Sequence, residues 1–421
     1  MSAPEATTQA PRARPGRVAV ALGLAQTIAW ACTYYLPAVF AAPVAEDLGQ
    51  SRAVVVGAFS AALLVAGFCA PHVGRAIEAR GGRGVLIASS FVLAAGLVML
   101  GLLPGIVGWF AGWAVLGVGM AMGLYDPTFA TLGRLYGREA RRPITQVTLI
   151  AGFASTVGWP VSTALLPLLG WRGTCLAYAA AQLVLVLPLY LLLVPPVAPA
   201  AEPGAAAPAE RREEAPPPDP ATATWIRRAI LMLATFFTLR AAVGAAISVH
   251  LIALLEGIGL ALAAAVAVAS LVGPSQVAGR VLEFTFGPRA HPLTVARLGA
   301  LALPLGVALL LIPGPLPVGA AAVAFAVCYG ISNGLLTISR GAVPLALFGP
   351  HGYATLLGRL AMPVLIAQAI APTLAAPVVE ALPAGWTFAL CGALGVVALL
   401  CLMPLRPVPP GSGRTAPAGG N

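Results

Sequence analysis

Gly74-Arg75-Ala76-Ile77-Glu78 and, 205 residues later, Gly279-Arg280-Val281-Leu282-Glu283 each close a long apolar stretch. Two further pairs keep the same order and nearly the same offset. Gly123-Leu124-Tyr125-Asp126 is echoed 207 residues on by Gly330-Ile331-Ser332-Asn333, and Gly170-Trp171 is echoed 215 residues on by Gly385-Trp386. Three ordered matches at a near-constant offset mark an internal duplication. Around them lie twelve apolar runs, at 18–42, 53–77, 85–104, 107–133, 144–168 and 173–194, then 226–252, 260–283, 294–313, 317–340, 358–379 and 385–404. A helix of about 20 residues crosses ~30 Å of hydrocarbon at 1.5 Å per residue. The expected fold is an all-α membrane protein of twelve transmembrane helices, arranged as two six-helix repeats.

The expected organisation follows from where the apolar runs stop. A tail covers 1–17, one six-helix bundle 18–194, a linker 195–224, a second bundle 225–405 and a further tail 406–421. The linker holds nine Pro in thirty residues together with Glu210-Arg211-Arg212-Glu213-Glu214. Such a composition buries no core and serves as a tether. Short Gly/Pro turnarounds, among them Gly81-Gly82, Pro104-Gly105, Gly170 and Pro313-Gly314, join the other runs.

Charge placement sets orientation. Only 9% of the 421 residues are charged, against 59% apolar and a mean hydropathy of +0.91. A soluble domain carries about 25% charged residues, so no soluble catalytic domain is expected and no enzyme activity is assigned. The net charge of +10 comes from 24 basic residues, all of them Arg. With the N-terminus in the cytoplasm, 21 of these fall at or beside inner loops. Arg52 and Arg172 fall outside, and Arg240 falls within a helix. This positive-inside bias places both termini in the cytoplasm, and it accounts for the basic balance without nucleic acid. The absence of Lys reads as a GC-rich bacterial genome, hence a bacterial inner membrane. Six Cys lie on separate runs with no C-x-x-C spacing, so neither a disulfide framework nor a metal site is expected. No cofactor is implied.

Gly74-Arg75-Ala76-Ile77-Glu78-Ala79-Arg80-Gly81-Gly82-Arg83 resembles the loop signature G-x-x-x-D-R-x-G-R-x of the major facilitator superfamily, with Glu78 for Asp and Ala79 for the first basic residue. Together with the repeat, the resemblance covers the whole chain. It implies secondary transport by alternating access, with the first, fourth, seventh and tenth helices lining a central cavity. Phe153-Ala154-Ser155-Thr156-Val157-Gly158-Trp159-Pro160, Gly170-Trp171-Arg172 and the stretch from Gly334 to Gly341 are similar to a bacterial subgroup. That subgroup lies near monocarboxylate-porter-like members and includes arsenite efflux permeases. Two departures bear on coupling. Trp113 stands where proton-coupled members often carry Arg ahead of a G-x-G, and the fifth-helix antiporter pattern is reduced to Gly152 and Gly158-Trp159-Pro160.

Several polar residues fall on those four helices. A charge at bilayer depth costs at least ~2.5–3.5 kcal/mol and marks a pathway or a partner. Arg240 lies ~15 Å into the seventh helix, near the midplane. It reads either as an anchor for an anionic substrate, as a cation acting on a nearby acid, or as half of a structural ion pair. Asp126, beside the helix-bending Pro127, reads either as a proton-coupling carboxylate or as a latch on the inner gate through Arg80 or Arg83. Its repeat-mate Asn333 is neutral. Trp30, Thr33 and Tyr34 share a helix face that suits a cavity wall or a membrane interface, and Gln26 sits one turn below. Glu78, Arg83, Arg280 and Glu283 are assigned to a conformational gate. Arg340 is expected to snorkel at a helix end. Gly117, Gly119, Gly123 and Gly152 are expected to permit close helix packing.

The expected function is therefore secondary active transport of a small solute, coupled to the proton-motive force and directed to efflux of an arsenite-like solute. A small organic anion or monocarboxylate porter is the alternative, and a transport-inactive sensor on the same scaffold is a third. Protons, the solute and the lipid bilayer are the expected partners of a monomer. No G-x-x-x-x-G-K-[ST] phosphate loop occurs, which disfavours a primary pump.

Overall fold

Hydrocarbon offers no hydrogen bonds, so a chain crossing it must satisfy its backbone internally. A computed structural model describes residues 14–196, 220–312 and 317–406, and there every apolar run is helical. Most of both tails and of the 195–224 linker lies outside the described residues, as do Arg12, Arg211, Arg212, Arg414 and the Pro313-Gly314 turn. Among the described residues, ten segments are long and apolar enough to cross a membrane. One of them, Gly105–Leu193, is 89 residues long and makes three passes. The 3₁₀ turn Gly137–Ala140 separates the fourth pass from the fifth. Gly170, at φ +64°, separates the fifth from the sixth. A side chain there would be strained in the left-handed region, which is why glycine stands at that reversal.

The twelve passes can be followed in order. The first, Pro15–Leu48, bends where Pro15–Ala31 gives way to Leu36–Leu48. The second and third are Arg52–Arg80, capped by the Ser51 hydroxyl on the Val54 amide, and Gly82–Leu102. The fourth is split into Gly105–Gly123 and Tyr125–Tyr136, the fifth starts with Arg141–Ala151, and the sixth runs on from Gly170 to Leu193. The seventh is Pro220–Gly257, and the eighth is split into Leu262–Ser270 and Val272–Phe286. Pro292–Leu311, Val318–Phe348, Tyr353–Ala381 and Ala384–Leu402 complete the set. The tenth pass runs well beyond its expected edge at 340, because Arg340 is an interior residue of that helix and not its end.

Large apolar side chains such as Phe68, Phe91, Val107, Leu168 and Leu192 point outward, as a lipid-facing surface requires. Inside, the buried clusters follow the duplication, with one informative exception. Two clusters belong wholly to the second half. A third joins Val18, Leu22, Ile77, Phe129 and Ile144 of the first half to Ile338, Ala342, Tyr353 and Leu357 of the second. This shared core lies at the Arg-rich end of the molecule. At the opposite end the first-half cluster takes from its neighbour Ala369 among its buried residues and Leu365 packed against them. The halves are thus sealed together at the Arg-rich end, and a cavity lies between them above the seal.

The seal requires close backbone approach. Gly74 of the second pass and Gly358 of the eleventh face each other, and a Cβ on Gly74 would come within 2.5 Å of the Ala354 carbonyl oxygen and 3.1 Å of Gly358 Cα. Small residues at such a crossing let two helices touch along their backbones.

Candidate functional site: a cavity between the halves

The first-half wall is set by a proline. Pro127 has no amide hydrogen, so the Gly123 carbonyl loses the partner an unbroken helix would supply. The chain departs from helical geometry at Leu124 (φ −87°, ψ −157°). Gln26 of the first pass takes over. Its Nε2 donates to the Gly123 carbonyl and, at 2.9 Å, to Thr128 Oγ1, while its Oε1 accepts from Trp30 Nε1 at 3.2 Å. One buried amide thereby ties the first pass to the break in the fourth and orients the Trp30 ring. That ring packs 4.8 Å from Tyr125 and 5.0 Å from Tyr34, and Tyr125 in turn stacks on Phe129 at 5.3 Å with 14° between planes.

These rings face a cavity of about 330 Å³. Its wall divides sharply by half. Every residue that the first half contributes is aromatic: Trp30, Tyr34, Tyr35, Tyr125 and Phe129. The second half contributes the charged and amide groups, chief among them Arg240, Arg280, Asn333 and Arg340, together with Phe237, Tyr329, Leu336 and Val364. Gln26 and Thr33, expected on this wall with Trp30 and Tyr34, are fully buried behind it. Thr33 is engaged by the Ala29 carbonyl, and Gln26 by the contacts just described.

The three cavity arginines are in different states. Arg240, only 6% exposed, donates through Nη2 to Asn333 Oδ1 at 2.9 Å and to Ser332 Oγ at 3.3 Å. Its Nε and Nη1 have no acceptor, and no carboxylate pairs with it among the described residues. Arg280, also buried, has an unpartnered Nε and lies against Gly152 of the fifth pass, where a Cβ would collide with its guanidinium. Arg340 is neutralised. Its Nη2 donates to Asp126 Oδ2 at 2.6 Å, an ion pair that joins the tenth pass to the fourth. Arg340 lines the main cavity as well as a smaller one of about 60 Å³, on which Asp126 opens. The sequence reading of Arg340 as a snorkelling end residue is corrected by this pair. Asp126 meets Arg340, not Arg80 or Arg83.

The residues assigned to a gate separate into three kinds. Glu78 Oε2 accepts from the Ala354 amide at 3.0 Å, at the start of the eleventh pass, and Oε1 lies 3.5 Å from Arg134 Nη1. Glu283 Oε1 accepts from Nε and Nη2 of Arg141, at the start of the fifth pass, at 3.2 and 2.8 Å. Arg141 also donates to the Gly287 and Ala290 carbonyls. The two repeat-related acids thus bind the first turn of a helix in the opposite half. The free amides and dipole of a helix N-terminus favour the Glu78 carboxylate, whereas Glu283 pairs with the Arg141 guanidinium. Arg83, by contrast, donates to the Leu191 carbonyl within its own half. Arg280 faces the cavity. Sequence reasoning passed over Tyr125, Tyr329, Gln276 and Gln368, which also line it. For Arg340 a signal existed: the apolar run Gly341–Phe348 continues the helix beyond it.

A duplicated helical bundle in the membrane, halved around a central polar cavity, is the architecture of a transport protein. The chain belongs to the Major Facilitator Superfamily, whose family model matches residues 22–343. No curated protein matches it in sequence. Among solved structures it is similar to the proton:xylose symporter XylE bound to 6-bromo-6-deoxy-D-glucose (TM-score 0.68, 12% identity, 92% of this chain and 95% of that one). It is likewise similar to the human organic anion transporter MFSD10 (TM-score 0.67, 16% identity, 94% and 100%). FucP in the outward conformation also matches (TM-score 0.68, 12% identity, 92% and 99%). At these identities the likeness is one of fold.

Proposed function

We propose that this chain is a secondary transporter of a small organic anion, working by alternating access in a bacterial inner membrane as a monomer with both termini in the cytoplasm. The observation that carries the reading is Arg240. A buried cation with two unpartnered nitrogens is costly unless a ligand completes it. Arg280, with an unpartnered Nε and no ion pair among the described residues, adds a second guanidinium, and no acid lines this cavity, Asp126 being paired with Arg340 on the smaller one. A carboxylate matches a guanidinium in shape and charge. An organic anion transporter, MFSD10, is among the proteins sharing the fold.

An arsenite-like solute suits this cavity less well. None of the six Cys lines it among the described residues, and a neutral oxyacid leaves Arg240 uncompensated. Coupling falls to Asp126. Protonating its carboxyl breaks the ion pair with Arg340 that spans the halves, which links proton binding to release of the seal. Direction, efflux included, then follows from the combined gradients of anion and proton.

The test is counterflow in proteoliposomes, with labelled small carboxylates and arsenite offered separately. Carboxylate exchange that Arg240→Gln lowers at least tenfold is expected. Exchange of arsenite alone, or ligand binding without turnover, would replace this reading with the arsenite permease or the sensor.

A further inference from the structure

Resting on the organic-anion reading, we infer that the cavity selects an aromatic carboxylate, its head on Arg240 and its ring against Trp30 and Tyr125. The division of the wall carries this. A solute filling the cavity must touch both halves if binding is to draw them together. The second half offers guanidinium and amide groups beside Phe237, Tyr329, Leu336 and Val364, and the first offers only aromatic side chains, three of them tyrosines. A hydrophilic anion would leave that aromatic wall facing unsatisfied polar groups. An apolar solute would leave Arg240 without an anion. A planar ring bearing one carboxylate meets both demands, and pockets of a few hundred Å³ suit ligands of this size.

Pre-organisation distinguishes an aromatic wall that binds rings from one that merely fills space. Trp30 is held by Gln26 at its indole nitrogen and by Tyr34 and Tyr125 at its edges. Tyr125 is fixed at the break in the fourth pass and backed by Phe129. Both rings nevertheless remain partly exposed, where Phe129 is wholly buried. Rings already immobilised lose little freedom when a ligand stacks on them. Their π faces discriminate between an aromatic ring and a saturated one of the same size, because offset stacking adds attraction beyond area burial. Two such contacts predict a preference of about tenfold.

The experiment compares benzoate with cyclohexanecarboxylate, equal in charge and similar in size, by counterflow in proteoliposomes holding the full chain. Wild-type protein should favour benzoate by about tenfold, and Trp30→Leu, which leaves the Tyr125 contact in place, should cut the preference to about threefold. Equal exchange of both by the wild type, or a saturated-ring preference, overturns the inference while leaving the anion transporter intact. An undiminished benzoate preference in Trp30→Leu overturns it too, since selection would then lie elsewhere. If neither carboxylate is exchanged, the organic-anion reading itself fails. The wild-type comparison decides the matter even where Trp30→Leu does not fold.

Discussion

Replacing Gly358 by Ala should open the Arg-rich end of the molecule without unfolding it. A Cβ on Gly358 would sit 2.5 Å from the Ala70 carbonyl oxygen and 3.1 Å from Gly74 Cα. Unstrained heavy-atom contacts lie near 3.5–4.0 Å, so passes two and eleven must part by up to ~1 Å. Overpacking of this kind costs about 1–3 kcal/mol. Alanine is itself the better helix former by about 0.8–1.0 kcal/mol, and that gain applies whether or not the halves touch. The penalty therefore falls on the sealed state alone. A bias of about 1–3 kcal/mol shifts a two-state equilibrium by roughly 5–150-fold. Ala130, 1% exposed within the shared core of the seal and lining the smaller cavity, is a suitable reporter. With Ala130→Cys in a background lacking the native thiols, maleimide labelling should accelerate by that factor in Gly358→Ala. Gly392→Ala is the control, because its Cβ would press on Val307 within the same half. An unchanged labelling rate in folded Gly358→Ala, or an equal rise in the control, would refute the glycine crossing as the seal.

The Asp126–Arg340 pair invites a double-mutant cycle. Asp126→Asn leaves Arg340 uncompensated in the sealed state, at about 1–3 kcal/mol given the residual exposure of both side chains. The Ala130→Cys reporter should label faster in that variant and slow again when Arg340→Gln is added. Identical rates in the single and double variants would show that the pair does not hold the seal. Outside the membrane, His291 should confer a pH dependence on stability. Its Nδ1 accepts from the Leu293 amide, and burial, then Arg141 and Arg297, push its pKa below the usual imidazole value. The unfolded chain thus binds a proton more readily, so stability present above about pH 6.5 is lost as pH falls towards the folded value. Thermal unfolding of His291→Asn, which keeps a capping oxygen, should show a flatter pH profile than the wild type. Parallel profiles would count against His291.

How far the site was legible depended on whether a residue's role is local. Arg240 stands out in sequence because any charge amid an apolar run is costly wherever its helix packs. Trp30 and Tyr34 were placed by helical spacing on a helix that the family resemblance assigns to the cavity, and so were Gln26 and Thr33. Spacing fixes a face to within about a turn, but it does not say which side chains reach past their neighbours to the surface. Gln26 lies behind the wall because the carbonyl it serves, Gly123, is freed by Pro127 a hundred residues away. Glu78 and Glu283 were flagged as a repeat-related pair. Their partners, the first turns of the eleventh and fifth passes, became visible only once the halves were docked.

The sequence by itself determined that this is a membrane protein, that its helices fall into two equivalent sets, and where most of them begin and end. Each of those properties follows from local composition and from the length a helix needs to cross hydrocarbon. Tertiary structure alone decided which charges cancel. Asp126 and Arg340 are 214 residues apart and belong to different repeats, so their neutralisation depends on how two bundles meet and not on any pattern along the chain. The same docking leaves Arg240 unpaired and sets an aromatic wall opposite a cationic one. Electrostatics and packing act through space over a few ångströms, and only the folded chain brings those distances about.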